Sequence, residues 1–476
     1  MKTARIGTIH TGTTRTGTVH AERRSLLART MARAGGGIAL LPTAPERMRN
    51  GDSEYPYRHD SHFHYFTGFD EPHAWLLLDA SGRSTLLCRE RHAEREIWDG
   101  RRLGPEAAPA VLGVDEAFDV EQLDAKAVER LANQPAVWFP FGEQPELQAQ
   151  VDGWLATLRN RERGGVACPQ TLRDLGPLLA EMRLVKDSSE LATMRRAAQI
   201  SAGAHARAMR FCAARFRADP QTAVREYEIE AELLHEFRRH GSQGPAYTSI
   251  VAAGANACVL HYAAGSTELR AGELCLVDAG CELDGYASDV TRTFPADGRF
   301  TPAQRALYDI VQAAQEAAIA VTRAGTRRLD AHDAAVRVLA QGMLDTGLLD
   351  RNAVGDADAV IASAAYRRFY MHGTGHWLGR DVHDVGDYLS ADEAPVEQPD
   401  GLGGTVVKKP SRVLQPGMVV TIEPGLYVRP AADVPERFWN LGIRIEDDAV
   451  VTATGCELIS RGVPVDALEI ERLMQG

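Results

Sequence analysis

The chain has 476 residues and a formal net charge of -12, and 44% of its residues are hydrophobic. This length and composition are ordinary for a folded protein of one to three domains. The negative balance provides no broad basic field for phosphate, so we expect no nucleic-acid partner. No apolar run in the sequence approaches the roughly 18 residues of a membrane span, so we expect no membrane partner either.

The cysteines and the first residues predict the compartment. The seven cysteines are scattered and none forms a C-x-x-C pair, which argues against a disulfide framework and favours a reducing environment. The first 20 residues contain no acid and no apolar segment typical of a secretory signal. We predict a cytoplasmic protein with a disordered tail over residues 1–20, with a transit peptide as the alternative.

Residues 21–177 are predicted to form a smaller α/β domain. The stretch RRSLLARTMARAG predicts an amphipathic helix that ends at a glycine. The short apolar runs GIALLP, AWLLLD and STLLC predict buried strands. Residues 163–177 are richer in glycine and proline and predict a linker, so we place the second domain at residues 178–476.

The second domain is predicted to start with a long helix. Asp187, followed three residues later by Glu190, matches a capping box. Apolar residues then recur at Leu191, Met194 and Ala198, which is helical spacing.

An internal repeat follows within the second domain. Residues 269–280 read LRAGELCLVDAG and residues 414–425 read LQPGMVVTIEPG, so that Asp278 and Glu423 occupy the same position. Each segment is a β-rich run that ends in a carboxylate and a glycine turn. If the two halves pack around a pseudo-twofold axis, the two strands bring their two carboxylates to one place.

Each repeat is followed by a second acid. Asp289 lies eleven residues after Asp278, beyond the turn-like ELDGY, and Glu446 lies in GIRIEDD. An antiparallel hairpin would place Asp278 beside Asp289. A solvated surface carboxylate is the ordinary interpretation of any one such acid. This interpretation is weaker for Asp278 and Glu423, which follow apolar runs, and stronger for Glu446.

Three histidines, His372, His376 and His383, fall within the glycine-rich stretch FYMHGTGHWLGRDVHD. They either satisfy local hydrogen bonds or belong to a site that binds metal and moves protons. Four converging carboxylates would repel one another without countercharge. Two divalent cations would resolve this repulsion, and oxygen-rich ligation with one nitrogen suits Mn²⁺, Co²⁺ or Zn²⁺. Two such ions, roughly 3.5–4 Å apart, can share a nucleophilic hydroxide.

Five segments together resemble the dinuclear metallopeptidases of the pita-bread fold: VLHY (259–262), LVDAGCELDGYASDVTRTFP (276–295), MHGTGHWLGRDVHDVG (371–386), TIEPGLY (421–427) and GIRIEDD (442–448). Residues 47–69 and 95–115 are similar to the N-terminal domain of bacterial Xaa-Pro aminopeptidases, also called aminopeptidase P. The resemblance implies an α+β protein, with a C-terminal pita-bread catalytic domain containing a pseudo-twofold repeat and a smaller N-terminal α/β domain.

The implied activity is metal-dependent hydrolysis of the N-terminal residue from peptides with proline at position 2. The resemblance implies five metal ligands: Asp278, Asp289, His376, Glu423 and Glu446. It implies catalytic roles for His261, His372, His383, Glu423 and Arg444. It implies substrate binding by His261, His372, Tyr247, Tyr427 and Arg444.

Several expectations accompany this hypothesis. We expect two divalent ions, with Mn²⁺ first and Zn²⁺ or Co²⁺ as alternatives, and a homo-oligomer, either a dimer or a tetramer. The alternative within the class is prolidase, which cleaves only Xaa-Pro dipeptides. A non-catalytic binding protein or a metal-free creatinase-like hydrolase would lack ligands, and all five are present here. We interpret the polar segment 389–413 as an inert surface insertion rather than a lid.

Overall fold

The structure is a computed structural model, and it describes residues 16–399 and 404–476. The chain divides into two compact units, one ending at Leu179 and the other running from Ala180 to Gly476. This division lies two residues after the end of the predicted N-terminal domain at 177. None of the helices within the described ranges combines the length and apolar character needed to cross a bilayer.

The N-terminal unit is a mixed sheet with flanking helices. Its helices are α1 Thr16–Arg33, α2 Ser61–Thr67, α3 Ala93–Asp99, α4 Gly104–Leu112, α5 Leu123–Leu131 and α6 Pro145–Arg159. Its strands are β1 Ile38–Pro42, β2 Trp75–Asp79, β3 Ser84–Cys88, β4 Glu116–Asp119, β5 Ala136–Phe139 and β6 Thr171–Asp174. The strand order is β4-β3-β2-β1-β5-β6, with β1 antiparallel to β2 and parallel to β5. All five residues of β1 are buried, as expected for a central strand covered on both faces.

The three apolar runs of the N-terminal domain form β1, β2 and β3, as predicted. The tail prediction was wrong for residues 16–20, because α1 begins at Thr16. Tertiary packing fixes this end of the helix: His20 is only 8% exposed, and its Nδ1 lies 3.0 Å from the Tyr65 carbonyl oxygen. The rest of the predicted tail, residues 1–15, lies outside the described residues.

The C-terminal unit combines long helices with short strands. Its helices are α7 Gly176–Leu184, which begins before the division, then α8 Ser188–Ala218, α9 Glu226–Arg239, α10 Pro302–Val321, α11 Arg328–Thr346, α12 Arg351–Val354, α13 Ala357–Ala362 and α14 Ala467–Gln475. Its strands to the middle of the unit are β7 Val224–Arg225, β8 Gly244–Pro245, β9 Ile250–Ala253, β10 Glu268–Leu269, β11 Leu274–Asp278, β12 Cys281–Leu283, β13 Tyr286–Ala287 and β14 Thr291–Pro295. The remaining strands are β15 Val396–Pro399, β16 Thr405–Lys408, β17 Val419–Ile422, β18 Gly425–Val428, β19 Leu441–Arg444, β20 Asp447–Val451 and β21 Cys456–Leu458.

The predicted capping box is present at the start of α8. The Asp187 carboxylate accepts hydrogen bonds from the backbone N–H groups of Ser189 and Glu190, and Glu190 accepts one from the Asp187 backbone. Two donors at the helix start are thereby satisfied reciprocally. This helix runs for 31 residues along the core of the unit.

The internal repeat forms two similar antiparallel pairs. Strand β11 pairs with β14, which sets Asp278 opposite Thr291, and β17 pairs with β20, which sets Ile422 opposite Asp447. An isolated bridge between Thr291 and Glu446 joins the two pairs. The predicted α+β architecture with an internal repeat is confirmed, and it brings the carboxylate-bearing ends of both pairs together.

The segment 389–413 contains a hairpin that the sequence analysis did not predict. Strands β15 and β16 pair antiparallel, with Val396 opposite Lys408. The Arg327 guanidinium holds the start of the segment through Glu393, at 2.7 Å. Residues 400–403 lie outside the described residues.

Candidate active site

Three buried carboxylates and the half-buried carboxylate of Glu423 lie at the ends of the repeated strands. Asp278 is the last residue of β11, and Glu423 directly follows β17. Asp289 lies two residues before β14, and Glu446 directly precedes β20. Asp278, Asp289 and Glu446 are 8%, 5% and 2% exposed. Because a carboxylate is rarely buried without a partner, this arrangement calls for positive charge nearby.

His376 faces the carboxylates from the glycine-rich loop. Its Nε2 lies 3.4 Å from Asp289 Oδ2 and 3.8 Å from Glu423 Oε1. Asp289, His376 and Glu446 each offer one ligand atom, and these three atoms lie within 4.8 Å of one another. The Nδ1 of His376 donates to the Trp377 carbonyl at 2.9 Å, which leaves Nε2 free to ligate.

Close packing against β17 fixes the loop that carries His376. The His376 backbone N–H donates to Thr421 Oγ1 at 3.1 Å, and the Thr421 N–H donates to the His376 carbonyl at 3.0 Å. A Cβ at Gly375 would lie 2.0 Å from the Thr421 carbonyl oxygen. Only glycine therefore allows the loop to approach the strand this closely.

Arg444 connects the two carboxylate pairs. Its Nη2 donates to Asp278 Oδ2 at 2.6 Å, and its Nη1 donates to the Tyr427 hydroxyl at 3.0 Å. Its Nε donates to Thr291 Oγ1 at 3.2 Å, and this hydroxyl donates to Glu446 Oε2 at 2.7 Å. The guanidinium thus orients one carboxylate of each pair and supplies one of the positive charges that they need.

Tyr247 bridges the carboxylates of the first pair. Its hydroxyl lies 2.6 Å from Asp278 Oδ1 and 2.5 Å from Asp289 Oδ1. A phenol has one proton and can donate to only one acceptor at a time. The backbone N–H of Asp289 also donates to the carboxylate of Asp448 at 3.2 Å, so Asp289 is held on two sides.

His372 is neutral and fixed in one tautomer. Burial and the Arg444 charge lower the pKa of His372 to about 4. Its Nδ1 donates to the Gly373 carbonyl at 2.7 Å, and its Nε2 accepts from the Tyr427 hydroxyl at 2.8 Å. The ring packs edge-on against Tyr370, with 4.7 Å between the ring centroids. The uncharged His372 ring is thus held rigidly by two buried tyrosines.

The other two predicted histidines are exposed at the same place. The rings of His376 and His383 meet edge to face, with 4.3 Å between their centroids. His261 is close enough for its charge to act on both His372 and His383. Burial, then His376 and His261, lower the pKa of His383. Of the five predicted ligands, the structure therefore gathers Asp289, His376 and Glu446 within 4.8 Å, with Asp278 beside them through Tyr247 and Glu423 beside His376.

The carboxylates resist ionisation when no cation is bound. Burial, reinforced by Asp289 and Asp278, raises the pKa of Glu423 to about 7. Burial and the neighbouring acids raise the pKa of Glu446 well above its ordinary value, and the pKa of Asp289 is raised as well. Burial opposes the charge on His376, but its contact with Asp289 and the charge of Glu423 raise its pKa to about 9. Near neutral pH these groups must bind protons or metal cations.

Comparison with known proteins agrees with this geometry. The family model for metallopeptidase family M24 matches residues 192–453, and the model for the aminopeptidase P N-terminal domain matches residues 20–138. An Xaa-Pro aminopeptidase of Escherichia coli strain K12 is 44% identical over 443 residues, covering 92% of this chain and 94% of that protein. An Xaa-Pro aminopeptidase of Haemophilus influenzae is 40% identical, covering 91% of this chain and 92% of that protein.

This chain belongs to the aminopeptidase P group of metallopeptidase family M24. The solved structure of Pseudomonas aeruginosa aminopeptidase PepP matches it with a TM-score of 0.87 and 43% identity, covering 96% of this chain and 98% of that one. Aminopeptidase P from E. coli with the inhibitor Pro-Leu matches with a TM-score of 0.86 and 42% identity, covering 96% of this chain and 98% of that one. Because it belongs to metallopeptidase family M24, the protein is a hydrolase. Divalent metal ions are the cofactors of this family.

The ligand atoms at this site suit divalent metal ions. Asp289, His376 and Glu446 offer two carboxylates and one imidazole nitrogen within ligating distance of a common point. These oxygen-rich donors favour hard or borderline cations. A bound cation would also relieve the repulsion that raises the pKa of Glu423 and Glu446.

Sequence reasoning missed the residues that orient these groups. Thr291 links Arg444 to Glu446, and Thr374 accepts the Glu423 backbone N–H through its carbonyl at 2.8 Å. Asp448 is fully buried beneath Asp289. The position of Thr291, two residues after Asp289, was the one signal available in the sequence.

Proposed function

We propose that this protein is an Xaa-Pro aminopeptidase, which removes the first residue from peptides with proline at position 2. The observation that carries the proposal is the convergence of Asp289, His376 and Glu446, with ligand atoms within 4.8 Å of one another, near the fixed ring of His372. The names of the similar proteins from E. coli and H. influenzae support the same substrate class.

The fixed ring of His372 suits contact with a proline ring. The nitrogen of an X–Pro bond has no N–H to donate, so an enzyme must recognise the ring by shape. Neutral His372 is 20% exposed and is held in place by the buried rings of Tyr427 and Tyr370, so it offers a rigid ring edge for this contact. Arg444 in turn holds Tyr427 by donating to its hydroxyl. We therefore assign substrate positioning to His372, Tyr427 and Arg444, and to Tyr247 at the carboxylates.

We assign metal binding to Asp278, Asp289, His376, Glu423 and Glu446. Two bound divalent ions would supply Lewis acidity and a nucleophilic hydroxide near neutral pH. The four carboxylates and one imidazole favour Mn²⁺, with Zn²⁺ or Co²⁺ as alternatives. Reloading the chelated protein with each ion in turn, and comparing kcat, tests this order.

The remaining residues handle protons and the developing charge. We assign to the Glu423 carboxylate the role of accepting a proton from the attacking water. The exposed imidazoles of His383 and His261 can donate to the oxyanion and to the departing proline nitrogen. We therefore expect loss of either histidine to lower kcat more than it raises KM.

The decisive assay uses protein that has been chelated and then reloaded with Mn²⁺. It follows release of free arginine from Arg-Pro-Pro beside hydrolysis of Ala-Pro, with Arg-Ala-Ala as the matched peptide without proline at position 2. Metal-dependent cleavage of Arg-Pro-Pro, with Arg-Ala-Ala left intact, would establish the proposed activity. Cleavage of Ala-Pro alone would instead identify a prolidase.

Two further expectations belong to the proposal. Ile97 and Trp98 on α3 are 79% and 68% exposed, which provides an apolar surface for a homodimer or homotetramer. Light scattering on the purified protein tests this oligomer. All seven cysteines are free and six of them are buried, which supports the reducing environment of the cytoplasm.

A further inference from the structure

A buried cluster of charges lies directly behind His383. The next residue, Asp384, accepts a hydrogen bond from Arg183 Nη2 through Oδ1 at 2.5 Å and one from Lys186 Nζ through Oδ2 at 2.9 Å. The side chains of Arg183, Lys186 and Asp384 are only 2%, 1% and 1% exposed. The same Nη2 of Arg183 donates to Asp381 Oδ2 at 2.7 Å.

The cluster is balanced in charge but demanding in geometry. Two buried cations face the buried carboxylate of Asp384, and the Asp381 carboxylate, which is 36% exposed, supplies the second negative charge from the solvent side. Taking these groups out of water offsets most of their mutual attraction, and apolar side chains of similar size would stabilise the fold about as well. What such a cluster contributes is a defined geometry, since its hydrogen bonds are satisfied in one arrangement only.

The loop around the cluster is closed by its own backbone. The Asp384 N–H donates to the Trp377 carbonyl at 2.9 Å, and the Gly379 N–H donates to the Asp381 carbonyl at 3.2 Å. A Cβ at Gly379 would lie 2.1 Å from Asp384 Oδ2 and 2.9 Å from Lys186 Cε. The loop therefore fits closely around the carboxylate that the two cations hold.

His383 depends on this loop for its position. Its side chain is exposed, and its ring contacts the ring of His376. Within residues 16–399 and 404–476 no hydrogen bond to the imidazole of His383 is formed. Its placement relative to the carboxylates is thus set by the backbone, and the strongest restraint on that backbone is the adjacent Asp384.

We propose that Arg183 and Lys186 are positioning residues: by clamping Asp384 they hold the His383 imidazole where it can serve the reaction. This inference rests on the proposed function, in which His383 handles protons. It goes beyond that function by assigning a role to the end of α7 and the residues that follow it, which carry none of the proposed ligands or substrate-binding residues. A displacement of about 1 Å at a catalytic group is enough to lower turnover substantially.

A double-mutant cycle tests the clamp. Lys186→Met removes one cation and leaves Arg183 paired with Asp384. With Arg-Pro-Pro as substrate we expect kcat to fall about tenfold while KM changes less than twofold, as is typical for residues that orient a catalytic group. In a His383→Ala background the same substitution should have no further effect on kcat. Equal losses in both backgrounds would overturn the inference.

Hydrogen exchange supplies a readout that is independent of activity. We expect Lys186→Met to raise the exchange of backbone amides in residues 377–386 and to leave β11 and β17 unchanged. If Lys186→Met does not fold, Arg183→Lys serves instead, because it keeps the charge but removes the guanidinium whose Nη2 reaches both carboxylates. Unchanged exchange in the folded variant would contradict the clamp.

The matched control is Glu181→Gln, on the same helix α7. It removes the ion pair between Glu181 and Arg412, which does not involve Asp384. We expect kcat and exchange over residues 377–386 to match the wild type. If the wild type fails to cleave Arg-Pro-Pro, the proposed function is wrong, whereas the exchange comparison still decides whether the clamp exists.

Discussion

Removing metal from the proposed site should make the protein progressively less stable as the pH rises from about 4.5. Burial and neighbouring acids raise the pKa of Glu423 from 4.5 to about 7 in the metal-free protein. Its folded state then binds a proton that the unfolded state has lost, so stability is complete below pH 4.5 and is lost as the pH rises through about 7. The pKa of His376 is raised from 6.5 to about 9, so its contribution to the stability of the folded protein is likewise lost as the pH rises between those values.

The size of the effect follows from the pKa of Glu423. A rise from 4.5 to about 7 in the pKa corresponds to about 3 kcal/mol of folding free energy at pH values above both. For a unit of this size that amounts to a change in Tm on the order of 5 °C. A bound divalent cation removes the loss, because it keeps the carboxylates ionised.

Differential scanning fluorimetry at constant ionic strength measures the prediction. The quantity is the Tm with Mn²⁺ minus the Tm with chelator, at intervals from pH 4.5 to 8. We expect this difference to grow with pH, and to grow less in Glu423→Gln, whose side chain cannot ionise. A difference that is constant or shrinks with pH in the wild type would refute the assignment of these carboxylates to a metal site.

Three further substitutions test separate parts of the site. Glu423→Ala should lower kcat by about a thousandfold with the fold retained by circular dichroism, since proton transfer is lost; full activity would reject its role. Tyr427→Phe should lower kcat/KM on Arg-Pro-Pro about tenfold, because it removes the hydroxyl from which His372 accepts a hydrogen bond. An unchanged value would show that substrate positioning by His372 does not depend on this hydrogen bond. Gly375→Ala should lower Tm and abolish metal binding measured by calorimetry, because its Cβ would lie 2.0 Å from a carbonyl oxygen. Gly373→Ala, with open space around its Cβ, is the control that should retain both.

Several parts of the fold and candidate site could be predicted from the sequence because they depend on local pattern. Apolar runs predicted β1, β2 and β3, and the matching acids Asp278 and Glu423 predicted that two strand ends meet. The capping box at Asp187 is likewise a three-residue signal that the structure retains. Each of these depends on spacing within a single element or on a repeat of one.

The orienting residues could not be predicted, because their partners are distant in sequence. Thr291 contacts Glu446 across 155 residues, and Asp448 contacts Asp289 across 159. Nothing in the local sequence distinguishes such a threonine or aspartate from a surface residue. The start of α1 was missed for the same reason, since His20 is held by a residue 45 positions away.

The bridge between Thr291 and Glu446 has a consequence for how the protein matures during synthesis. The first two carboxylates are present once residue 289 has been translated, whereas Glu446 follows Thr291 by 155 residues. Until residue 376 has been translated, the nascent chain therefore holds at most two of the five proposed ligands. We expect metal loading to wait until residue 446 has been translated, which would keep a shorter nascent chain inactive.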